Sequence, residues 1–78
     1  MDKEHIVNQV KLLIPNNNKN PDYDKIIDFT VDKIMNDIAN YCNISIDELP
    51  NELATVAVSM AVQAIKVNEF LDGENTAN

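Results

Sequence analysis

The sequence predicts an all-α fold: a compact bundle of three main helices, about 2–14, 21–42 and 50–71, with a short connector turn and a loose C-terminal tail. Three observations carry this. Apolar residues recur at three- and four-residue spacing along most of the chain. The one glycine and three prolines fall between the periodic stretches and not inside them. No stretch alternates as a strand would; Val56-Ala57-Val58 is rich in β-branched residues, yet the window around it keeps helical periodicity. Residues 1–72 read as a single helical domain and 73–78 as a flexible tail.

The first helix opens at Asp2, whose side chain suits an N-cap, and Ile6, Val7, Val10, Leu13 and Ile14 give it an apolar face. Pro15 and the asparagine-rich run Asn16–Asn20 end it. Asn20 is the expected cap of the second helix, with Pro21 at its first position and Asp22 and Asp24 in the first turn, where the helix dipole favours carboxylates. Tyr23, Ile27, Thr30, Val31, Ile34, Ile38, Tyr41 and Cys42 share one face of that helix, and Asp22, Lys25, Asp28, Asp32, Lys33, Asn36 and Asn40 the other. Asp28 and Asp32 are a like-charge pair four residues apart, which disfavours the isolated helix. In the connector, Ile44, Ile46 and Leu49 are placed to plug the end of the core, and Ser45 to cap a turn containing Asp47 and Glu48. Pro50 opens the third helix, and Gly73 suits a C-terminal cap.

The third helix divides into four stripes. Glu52, Thr55, Ser59, Gln63 and Lys66 form a narrow polar line, and Ala54, Ala57, Ala61 and Ala64 lie opposite it. One flank carries Leu53, Val56, Met60 and Val67; the other carries Val58, Val62 and Ile65. A surface helix normally shows an apolar arc of little more than about 100°. Here only the polar line is suited to water. Two neighbouring helices, one of them short, are hard pressed to cover both flanks, and monomers rarely leave a large contiguous apolar patch exposed. Either the first helix and the Ile44–Leu49 connector cover both flanks, or one flank is buried by another copy of the chain or by a partner. The candidate interface residues are Val58, Val62 and Ile65 on that helix, Phe29 on the otherwise polar face of the second helix, and Phe70 and Leu71 at the end of the third.

Composition excludes several functions. Six lysines are scattered among 13 acidic residues, for a net charge of −7, so sequence-specific nucleic-acid binding is not expected. The longest uncharged stretch, Leu53 to Ile65, is shorter than the roughly 17–25 residues that span a bilayer, and Met1 to His5 is not followed by the apolar core of a signal peptide. The chain reads as soluble and intracellular, with no membrane partner. A lone cysteine forms no internal disulfide, and His5 with Cys42 does not make a zinc site. Asp22, Asp24 and Asp28 lack the glycine and glutamate of a calcium loop, whose places hold Ile27 and Lys33. Cys42 reads as a small buried hydrophobe and His5 as a surface residue. No catalytic residue, metal or cofactor is expected, and the chain does not read as an enzyme.

The stretch Asp22 to Ala64 carries a further pattern: Ile34, Ile38, Tyr41-Cys42-Asn43, the Glu48-Leu49-Pro50 break, then Leu53, Val56, Val58, Met60-Ala61 and Ala64. It resembles the small head–tail connector, or head-completion adaptor, proteins of tailed phages and prophages. The resemblance implies an all-α structural protein that catalyses nothing, assembles as a ring beneath the portal at the capsid vertex, and docks the next neck or tail protein. Its partners would be further copies of itself and the portal and neck proteins, with DNA passing through the channel, and its place the virion neck, reached from the host cytoplasm. The sequence departs from the pattern after Val67-Asn68-Glu69-Phe70, where family members commonly continue into a further element. An acidic surface accords with a channel wall that DNA passes without adsorbing.

Two rival functions remain. One is a small acidic regulatory protein of a phage or mobile element that binds another protein. The remoter one is an acyl-carrier-like protein, whose cofactor serine lies in Asp-Ser-Leu; this chain has Ile44-Ser45-Ile46 instead.

Overall fold

The computed structural model describes residues 1–68, and among these the fold is all-α with no strand. Three α-helices, α1 (Lys3–Leu13), α2 (Tyr23–Cys42) and α3 (Ala54–Asn68), are joined by a loop and by a connector containing 3-10 turns at Ile46–Glu48 and Asn51–Leu53. Phe70, Leu71 and the tail expected at 73–78 lie outside the described residues, as does the expected end of the third helix at 71.

Local chemistry accounts for each boundary. The Asp2 carboxylate accepts from the Glu4 amide at 3.1 Å and caps α1 as its sequence suggests. At the other end of α1, the Tyr23 hydroxyl donates to the Ile14 carbonyl at 2.7 Å, satisfying one of the acceptors a helix end leaves open. Asn16 and Asn20 fasten the loop to itself: the Asn20 amide donates to the Asn16 side-chain oxygen at 2.9 Å, and the Asn16 side-chain nitrogen to the Asn20 carbonyl at 3.1 Å. Asn20 does not cap α2. Its side chain accepts from the Asp22 amide at 2.8 Å in a turn, and α2 starts two residues later than the Pro21 start expected. Asn43 ends α2 in a left-handed conformation (φ 60°), with its own amide on the Ala39 and Asn40 carbonyls and the Ile44 amide on Ala39. Asparagine tolerates that conformation better than most residues. Ser45 and Glu48 form a reciprocal capping box around the first 3-10 turn. Pro50 precedes the second 3-10 turn, which runs directly into α3.

Each helix packs against the other two. Ile6 and Val10 from α1, Ile27 and Val31 from α2, and Ala57 and Ala61 from α3 are wholly buried, and Leu49 plugs the connector end. Full burial of one such branched side chain is worth about 1.5–3 kcal/mol relative to exposure. α2 also buries Met35 and Ala39, which belong to its core face beside the residues the periodicity selects. Lys3 reaches from α1 to Asp28 (2.9 Å) and Asp32 (3.7 Å), and Lys11 to Asp24 (3.0 Å), so lysines of α1 offset the carboxylates of α2. The Asp28–Asp32 repulsion is thereby relieved in the folded chain. The Met1 amino nitrogen donates to the Leu49 carbonyl at 2.9 Å, tying the start of the chain to the connector. Among the described residues no buried side-chain nitrogen or oxygen lacks a hydrogen bond.

Candidate protein interface

The alanine stripe of α3 faces inward, since Ala57 and Ala61 are fully buried, and small side chains there let the other helices approach closely. The two apolar flanks then lie on either side of the buried line. On the first, Ile65 is only 2% exposed and belongs to the core. That corrects its assignment as an interface residue: α1 packs on α3, and Ile65 is covered within the same cluster as Ile6 and Val10. Val58 and Val62 are half-buried and, with Leu13 and Lys66, line a shallow groove of about 430 Å³.

The second flank is the open one. Val56 is 46% exposed and Met60 40%. With Leu53 they face the last turns of α2 across a groove of about 530 Å³, whose α2 side is formed by Asp37, Ile38, Tyr41 and Cys42. Ile38 is buried at its base, while Tyr41 is 92% exposed. Cys42 is exposed too, contrary to the buried role read from its helical position. The reason is longitudinal: the final turn of α2 lies at the end of the bundle, beside only the opening turns of α3, so its apolar side is left beside a groove and not beneath a helix. Asp37 is the one charged residue of the lining, and its carboxylate accepts from Lys33 at 2.9 Å.

Phe29 stands on a separate face of α2, 69% exposed, with Asp22, Lys25, Ile26 and Thr30 around a hollow of about 360 Å³. The structure therefore brings Val58 and Val62 together, keeps Phe29 apart from them, and removes Ile65 from the surface. Sequence reasoning missed Tyr41, Val56 and Met60 as the exposed apolar group. The signal was present in the stripe Leu53, Val56, Met60, Val67; which stripe stays open depends on the side α1 occupies.

Nothing in this region forms a reactive cluster. Among the described residues no group of three or more His, Cys, Asp or Glu side chains could hold a metal ion, and no helix is long and apolar enough to cross a membrane. His5 is exposed, and Asp24 and Asp28 are engaged by lysines of α1. Ser45 is held in its capping box, where its Oγ accepts from the Asp47 amide at 3.3 Å. In comparisons with known proteins, no family model, no curated protein and no solved structure matches this chain.

Proposed function

We propose that the chain is a structural adaptor that acts by docking other protein subunits, and that its place is the neck of a tailed phage, between portal and tail. The observation that carries the docking role is the groove between the end of α2 and the start of α3, where Tyr41, Val56 and Met60 remain open to solvent. Open apolar surface of this kind is a recurrent feature of protein-interaction sites. The phage setting rests on the pattern from Tyr41-Cys42-Asn43 through Leu49-Pro50 to Met60-Ala61. In that setting the acidic surface discourages adsorption of the DNA passing nearby.

Sedimentation of the purified chain with the portal protein encoded in the same genome tests this reading. The expected result is co-sedimentation that weakens when Tyr41 or Met60 is replaced by a charged residue. A chain that ignores the portal, and instead captures a host enzyme through the same groove, overturns the phage reading in favour of a small regulatory protein.

A further inference from the structure

We draw no further inference here: the strongest candidate, the shallow groove between α1 and α3 lined by Leu13, Val58, Val62 and Lys66, is a largely apolar surface, and nothing in the structure shows what covers it.

Discussion

The two apolar flanks of α3 are alike in composition and opposite in fate. Val58, Val62 and Ile65 end half-buried or buried, while Val56, Met60 and Val67 stay exposed. Hydrophobicity does not distinguish them. Their surroundings do: the first groups with Leu13 of α1 and the α1 core residues, whereas the second faces the end of α2 across an open groove. In a bundle with one short helix, the docking side of that helix decides which flank serves the core and which is left for other contacts.

The sharpest way to break this contrast is truncation on each flank. Ile65→Ala should cost about 2–4 kcal/mol, the usual range for an aliphatic side chain cut back in a core. Met60→Ala should cost about 1 kcal/mol or less, because much of its surface is already in water. Urea unfolding followed by circular dichroism measures both. Equal losses would mean that the Met60 flank contributes to the fold as much as the Ile65 flank.

Much of this arrangement is legible in the chain itself, where short-range chemistry decides. Asp2 caps α1, Ser45 and Glu48 form their box, and Ala57 and Ala61 turn inward, all as spacing and side-chain type indicate. The errors arise where tertiary placement decides. Cys42 and Tyr41 fall on the apolar face of α2 by angle, but angle says nothing about how far along that face the covering helix extends. Asn20 and Pro21 have the types expected at a helix start, yet the pairing of Asn16 with Asn20 uses them in the loop and α2 begins at Tyr23. The choice between the flanks of α3 depended on α1, whose docking side is not contained in the periodicity of α3.

Enlarging the buried line between the flanks probes both at once. Ala61→Leu inserts bulk where the helices meet with Ala61 at 0% exposure, and should cost about 1–3 kcal/mol by overpacking. The comparable change at exposed Thr55 should stay within about 0.5 kcal/mol. Unfolding midpoints again provide the measurement, and a neutral Ala61→Leu would show that the helices are free to separate at that level.

The closed flank also depends on whatever holds α1 in place. Tyr23→Phe removes the hydrogen bond to the Ile14 carbonyl and should cost about 1 kcal/mol at neutral pH. Burial pushes the Tyr23 hydroxyl above its ordinary value near 10, with Lys11 acting in the opposite sense and Asp24 reinforcing the rise. The folded chain therefore keeps that proton to higher pH than the unfolded one. The resulting stability is present below about pH 10 and is lost as pH rises from there through the folded value. The wild-type advantage over Tyr23→Phe should accordingly shrink above about pH 10 in urea titrations at successive pH values; a gap that does not change with pH would place the effect of Tyr23 in packing alone.

The smallest effect belongs to Lys3, which bridges from α1 to Asp28 and Asp32. All three side chains are at least a third exposed, so the pair is screened, and Lys3→Met should cost only about 0.5 kcal/mol in low salt. The hydrogen bond to Asp28 raises the Lys3 ammonium above its usual 10.5 despite partial burial, with the charges of Asp28 and Asp32 acting in the same direction. Its contribution is complete below about pH 10.5 and disappears as pH climbs through the raised value. Because Asp28 and Asp32 repel each other along α2, removing Lys3 also restores a penalty that Asp28→Asn should relieve. In low salt, Asp28→Asn should therefore stabilise the Lys3→Met background while destabilising the wild type. Both differences should fade in about 1 M NaCl, where the screening length falls to about 3 Å. A loss at Lys3 that persists in high salt, with no reversal at Asp28, would assign its role to the packing of its aliphatic stem over α2 and leave charge with no part in holding α1 across the closed flank.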